Sequence, residues 1–230
     1  MQTYYNFLAT NTTLFKQWPS WKVVGCSLKI VLIRHGESIA NKERIIQGHK
    51  DYPLTERGEK QAKELAEKMV KENFTCSAIY SSDLTRAKKT AEIIAEVLDC
   101  KKIIYDERLR EMNLGNRQGK KNEALTEEEN KLTERIWEEH DLKFPGGGES
   151  VNEMKARVKA AFEEIIQNHT EKETAVIVGH GGSLYHILHH ILDVFPETDE
   201  WFSNCSYNEL VREQNDDKWQ LTMFNGKKNY

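Results

Sequence analysis

Leu28-Lys29-Ile30-Val31-Leu32-Ile33 is a short, apolar, β-branched run that stops abruptly at Arg34-His35-Gly36-Glu37. A half-solvated strand would alternate polar and apolar residues; a continuous run of this length suits a strand covered on both faces of a parallel sheet. Downstream the period lengthens. From about Thr55, which is placed as a cap, Ala62, Leu65, Ala66, Met69 and Val70 share one helical face. A second strand at about 77–80 leads into Ser81-Ser82-Asp83 and a helix with Ala87, Ala91, Ile94 and Leu98 on one side. Residues 102–105 read as a third strand. Ser150 and Glu153 make a capping box ahead of Val151, Met154, Val158, Ala161, Phe162, Ile165 and Ile166. Residues 174–178 read as a fourth strand, ending in Gly179-His180-Gly181-Gly182 and a helix to about Leu192. Segments 207–212 and 219–224 flank a polar turn at Asn215-Asp216-Asp217 and read as a terminal hairpin. Strands alternating with helices predict an α/β fold, a three-layer α/β/α sandwich around a mostly parallel, doubly wound central sheet.

The rest of the composition bounds the function. The 230 residues carry 33 basic and 37 acidic side chains, a net charge of -4, the wrong sign for coating nucleic acid. A mean hydropathy of -0.71 argues against an integral membrane protein. With 13 Gly, 4 Pro and 4 Cys the chain is neither collagen-like nor a disulfide scaffold. Cys26, Cys76, Cys100 and Cys205 are scattered, without a C-x-x-C pair, and read as reduced thiols of a cytoplasmic protein. No basic residue precedes Lys16 and no signal-peptide core is present, so the sequons at Asn11, Asn73, Asn168 and Asn204 read as chance matches. Residues 1–27, with Trp18, Pro19 and Trp21, read as an extension that drapes over the domain or is disordered. The domain itself is expected over 28–230, with 112–144 as a cap or insertion. Within that insertion, residues 122–140 have helical period but are acidic and poorly apolar, and read as a surface excursion.

Ligands of open α/β sheets gather at the carboxyl ends of the strands. Three predicted strands end there in polar segments: Arg34-His35-Gly36-Glu37, Ser81-Ser82-Asp83 with Arg86 just beyond, and Gly179-His180-Gly181-Gly182. Together they bring two histidines and two arginines to one edge. Guanidinium forks match phosphate oxygens, and a neutral imidazole is a competent nucleophile toward phosphorus. The combination points to phosphoryl transfer. His186, His189 and His190 invite a metal reading through the i, i+4 spacing of His186 and His190, but no carboxylate completes a known site, and they read as core or surface histidines. The Gly146 to Gly148 run lacks the Lys of a P-loop.

Arg34-His35-Gly36-Glu37-Ser38, Asn41, Pro53-Leu54-Thr55-Glu56-Arg57-Gly58 with Gln61-Ala62, Ser81-Ser82-Asp83-Leu84-Thr85-Arg86-Ala87, Pro145-Gly146-Gly147-Gly148-Glu149-Ser150 and Val178-Gly179-His180-Gly181-Gly182 occur in order. This set closely resembles the histidine phosphatase superfamily, or phosphoglycerate mutase family, from about Leu28 to the terminal hairpin. The resemblance implies a phosphoglycerate mutase-like fold in which His35 is the nucleophile that becomes a phosphohistidine. It implies that Arg34, Arg86 and His180 hold the phosphoryl oxygens, with Asn41 and Gly181 as further phosphate or substrate contacts. It places the general acid at Glu111, whose carboxyl would need a raised pKa. The local alternative for Glu111 is a surface partner of Arg108 or Arg110. Glu107 is a weaker donor and Glu37 an orienting residue. No metal or cofactor is implied, because the cations are built in.

Hydrolysis of a small phosphomonoester is the leading expectation. The partner would be a small phosphorylated metabolite, with neither nucleic acid nor membrane, and the chain a monomer or homodimer. A cofactor-dependent phosphoglycerate mutase is the alternative, and a non-catalytic phosphoester-binding module a third. The mutases typically have Gly-Trp where this chain has Gly48-His49, and Arg-Arg-Tyr-Tyr-Gly after the acid where it has Met112-Asn113-Leu114-Gly115. The excursion from Glu111 to Pro145 is also short for a mutase. A binding module would lack His35, His180, an arginine or Glu111, and all are present.

Overall fold

Alternate side chains of the first strand enter two different cores, and this division organises the molecule. In the computed structural model, which describes residues 27–213 and 218–229, β1 spans Ser27–Arg34. Its Leu28, Ile30 and Leu32 enter one apolar cluster and Val31 and Ile33 another. The sandwich is therefore three-layered. Residues 1–26 lie outside the described residues, so the reading of the extension does too, as does the turn at 215–217. Ser27, expected in the extension, is the first residue of β1.

After the single turn α1 (Ile39–Lys42) comes α2 (Glu56–Lys71), capped by the Thr55 side chain. Next are β2 (Ala78–Ser81), α3 (Thr85–Leu98) and β3 (Ile103–Tyr105). α2 and α3 cover one face of the sheet with Ala66, Met69, Ala87, Ala91 and Ile94. Three single 3-10 turns, at Glu107–Leu109, Gly115–Arg117 and Asn122–Ala124, precede α4 (Glu127–Glu138). α5 (Val151–Gln167) carries the expected Ser150–Glu153 capping box and covers the other face with Met154, Val158, Phe162 and Ile165. β4 (Thr174–Gly179) runs into α6 (Gly181–Tyr185), which continues to Ile191 as a π-helix rather than a regular helix to Leu192. β5 (Tyr207–Glu213), β6 (Gln220–Phe224) and the two-residue β7 (Lys227–Lys228) close the chain.

The sheet order is β3-β2-β4-β1-β5-β6-β7. The β3-β2-β4-β1 half is parallel, whereas β5, β6 and β7 add to β1 antiparallel. The expectation of a mostly parallel sheet thus holds for only half of the pairings. Chain length accounts for the hairpin part: parallel neighbours need a crossover of a dozen or more residues, and the short link from β5 to β6 leaves only the hairpin. Residues 122–140 also depart from their reading as a solvated excursion. Ile136 of α4 is fully buried, and Leu132, Trp137 and Leu142 pack against the same core. One apolar residue per turn is enough to anchor an otherwise acidic helix.

Candidate active site

The parallel register decides which strand ends meet. Arg34 lies opposite Gly179 and Ser81 opposite Val178, so the next residues, His35, Ser82 and His180, emerge side by side. The His35 N–H donates to the Gly179 carbonyl at 3.0 Å and the Ser82 N–H to that of Val178 at 3.0 Å, extending the sheet by one bond on each strand. The two imidazoles then meet edge to face, with centroids 5.1 Å apart, both buried.

Hydrogen bonding assigns the His35 tautomer. His35 Nδ1 lies 2.7 Å from the Gly36 carbonyl, which can only accept, so Nδ1 carries the proton and Nε2 keeps a lone pair. Burial, helped by the guanidinium charges of Arg86 and Arg34, holds the His35 pKa well below its ordinary value, leaving the ring neutral at pH 7. Ser82 Oγ accepts the Leu84 N–H at 3.3 Å and lies 2.8 Å from His180 Nε2. His180 Nδ1 is buried and has no hydrogen-bond partner. Burial and Arg86 keep this ring neutral as well.

Arg86 sits in the first turn of α3 and is entirely buried. Its Nη2 donates to the Gly48 carbonyl at 2.8 Å, and the Asp51 carboxylate lies 3.7 Å from Nη1. Burial lowers its pKa to about 10, still a cation at neutral pH, and its Nε has no partner. Arg34 donates to the Phe202 carbonyl at 2.7 Å. Asn41 closes the capping box of α1 with Ser38. It meets His35 through Asn204, whose amide donates to the His35 carbonyl at 2.9 Å and approaches Asn41 Oδ1 at 3.5 Å. Asn204, noticed in the sequence only as part of a sequon, is thus a member of the site.

Glu111 reaches the same edge from the other face of the sheet. Its Oε2 accepts the Gly182 N–H at 3.1 Å and its Oε1 the Met112 N–H at 2.9 Å. It is not the surface partner of its neighbouring arginines: Arg108 pairs with Asp106 and Glu164, and Arg110 with Asp83 and Glu107. A Cβ on Gly182 would lie 2.3 Å from Glu111 Oε1, so a side chain there would displace that carboxylate. A Cβ on Gly181 would meet Trp201 Nε1 at 2.8 Å. Glu107 is exposed, and Glu37 accepts from Thr55 and Arg57 at the start of α2, an orienting role.

The loop carrying Glu111 is held by groups that sequence reasoning missed. Arg157 of α5 donates through Nη1 to the carbonyls of Arg108 and Arg110 at 2.8 and 2.7 Å, and through Nη2 to that of Glu111 at 2.8 Å. Its Nε and Nη2 form a fork on the Glu149 carboxylate at 2.9 and 2.5 Å, and Glu149 in turn accepts the Asn113 N–H at 2.8 Å. His49 Nε2 donates to the Glu111 carbonyl at 2.7 Å. One signal in the sequence could have found Arg157. It stands three residues after Met154 and four before Ala161, a cation on the apolar stripe of α5.

The second histidine group does not join this site. His186 is buried, its ring near those of His190 and Tyr185, and burial pushes its pKa down to about 3. His189 stacks on Tyr185, with its pKa lowered to about 4. Among the described residues no group of three or more His, Cys, Asp or Glu could hold a metal ion, and no helix is long and apolar enough to cross a membrane.

Known proteins share this architecture. A curated protein of Photorhabdus laumondii named "Probable phosphoglycerate mutase GpmB" is 40% identical over 189 residues, covering 80% of this chain and 84% of its own. The solved structure of YhfR from Bacillus stearothermophilus superimposes with a TM-score of 0.73 at 30% identity, over 87% of this chain and 97% of its own. A mycobacterial glucosyl-3-phosphoglycerate phosphatase, solved in complex with VO3, gives a TM-score of 0.71 at 28% identity, over 85% and 97%. The sequence model of the histidine phosphatase superfamily, branch 1, matches residues 30–227. With the two strand-end histidines, the buried arginine and nearly all of the described chain inside that match, the protein belongs to the histidine phosphatase superfamily.

Proposed function

We propose that the protein is a metal-independent phosphatase that hydrolyses a small phosphomonoester through a phosphohistidine on His35. One observation carries the reading: His35 is neutral and buried, with its proton committed to the Gly36 carbonyl and its Nε2 lone pair unspent, beside the fully buried Arg86 and His180. Nε2 attacks phosphorus in line. Arg34, Arg86 and His180 take the phosphoryl oxygens, and charge stabilisation of this kind is most of what phosphoryl transfer asks of a protein. Asn41 and the Gly181 backbone supply the remaining contacts. Glu111 protonates the leaving oxygen, then accepts a proton from the water that attacks the phosphohistidine.

Residues 28–230 act as one catalytic domain, and 112–144 form its cap. The Gly119 N–H donates to the Ile46 carbonyl at 2.8 Å, and the Ile46 N–H to that of Lys120 at 2.9 Å. These bonds tie the cap to the loop whose Gly48 carbonyl receives Arg86.

Phosphoglycerate mutase activity is the second reading, favoured by the name of the 40% identical relative. The relative named as a glucosyl-3-phosphoglycerate phosphatase supports the first. A panel of phosphomonoesters, together with phosphoglycerates plus 2,3-bisphosphoglycerate, separates the two when inorganic phosphate and isomer conversion are followed in parallel. Hydrolysis predicts phosphate release without isomerisation; isomerisation that outpaces it overturns the assignment. His35→Ala should abolish turnover and any acid-labile phosphoenzyme, and retained activity would refute the mechanism.

A further inference from the structure

Far from the site, at the amino-terminal edge of the parallel strands, the fold brings together two cysteines that stand 24 positions apart. β2 and β3 pair in parallel with Ile79 opposite Ile103, Tyr80 opposite Ile104 and Ser81 opposite Tyr105, the same offset of 24. Counting three residues back along both chains places Cys76 opposite Cys100. The first bond of this pair, from the Ile79 N–H to the Lys102 carbonyl at 2.9 Å, lies just beyond Cys100. Neighbouring strands are about 4.8 Å apart, inside the Cα separation of about 4.4–6.8 Å that a disulfide accepts.

The side chains agree with the register. Both cysteines pack against the same cluster, beneath α2 and α3. Cys100 Sγ lies 3.9 Å from the Cys76 carbonyl, within reach of the strand that carries the other thiol. Both are free and neither is fully buried. Cysteines chosen for packing alone have no reason to share both the strand offset and this close approach.

We propose that Cys76 and Cys100 form a reversible disulfide on exposure to a hydroperoxide. One thiolate attacks the peroxide oxygen, giving a sulfenic acid and releasing water or an alcohol. The second thiol then attacks the sulfenic sulfur, the S–S bond forms, and water leaves; two thiols are oxidised and one peroxide is reduced. A thiol reductant reverses the step. The 24-residue span it closes contains β2, Ser82 and α3 with Arg86, so the bridge staples the segment that carries much of the phosphate-binding edge. Closing a loop of this length raises the thermal midpoint by roughly 5 °C or more.

The test treats the full chain with hydrogen peroxide, then measures intact mass, free thiols and linked peptides after digestion without reductant. The expected result is a loss of two hydrogens, a fall from four thiols to two, a peptide pair joining Cys76 to Cys100, and a higher thermal midpoint that dithiothreitol reverses. Cys76→Ser and Cys100→Ser should each prevent the bridge, and Cys205→Ser should not. Addition of oxygen to either cysteine without a link, or a link that uses Cys26 or Cys205, overturns the proposal. Peptide mapping of the unmodified sequence decides the matter even if a serine variant fails to fold.

Discussion

Replacing Arg157 tests whether Glu111 works from a position imposed by α5. Arg157 makes bonds to the loop carbonyls of Arg108, Arg110 and Glu111 and a fork on Glu149, with the two side chains 19% and 13% exposed. Arg157→Met leaves the three carbonyls and the carboxylate without that partner. Breaking a largely buried pair in this way costs about 3–5 kcal/mol, which lowers the thermal midpoint of a chain this size by roughly 6–20 °C. The catalytic consequence follows from geometry, since a displacement of about 1 Å in a reacting group costs on the order of 100-fold in rate. That loss should fall on alkyl phosphates, whose leaving oxygen must be protonated, while aryl phosphates lose less than about 10-fold. Arg157→Lys should regain part of the stability but little of the alkyl phosphatase activity, because an ammonium cannot form the planar fork. Steady-state kinetics on the two ester classes, beside thermal melts, gives the answer. Equal losses on both classes, or a lowered midpoint with unchanged activity, would refute the positioning role.

Two further outcomes follow from the packing. Gly36→Ala should cost about 1–3 kcal/mol and impair His35 next to it, because the added Cβ would lie 2.4 Å from the Gly58 carbonyl oxygen, a backbone atom with little room to move; a denaturant midpoint equal to that of the parent would contradict the packing. The second outcome concerns acid. The buried His35, His180 and His186 all have folded pKa values below the ordinary value of 6.5, that of His186 near 3. The unfolded chain therefore binds protons first as the pH falls. Stability is fully present above about pH 6.5 and is lost progressively as the pH drops toward the lowered values, by up to about 1.4 kcal/mol per pH unit for each such histidine. Urea melts between pH 7 and 5 measure it, and a flat profile would show that these rings are not held neutral.

The parts of the molecule legible from the chain were those encoded locally. The apolar run before Arg34, the Ser150–Glu153 capping box and the periodic faces of α2, α3 and α5 appear where their periods place them. The strand ends bearing His35, Ser82 and His180 were legible for the same reason, since each motif follows its own strand directly. The antiparallel half of the sheet and the anchoring of α4 through Ile136 were not, because each depends on what a segment meets rather than on its own pattern.

By itself, the sequence determined the order of strands and helices, the residues that follow each strand, and the family to which they belong. Tertiary structure decided the rest: which strand ends lie side by side and which distant groups hold the Glu111 loop. The physical reason is range. A helical period or a cap is set by residues three or four apart, whereas the meeting of His35, Ser82 and His180 depends on the pairing of three separate strands. Arg157 acts 46 positions from Glu111, and Cys76 meets Cys100 only through the pairing of β2 with β3.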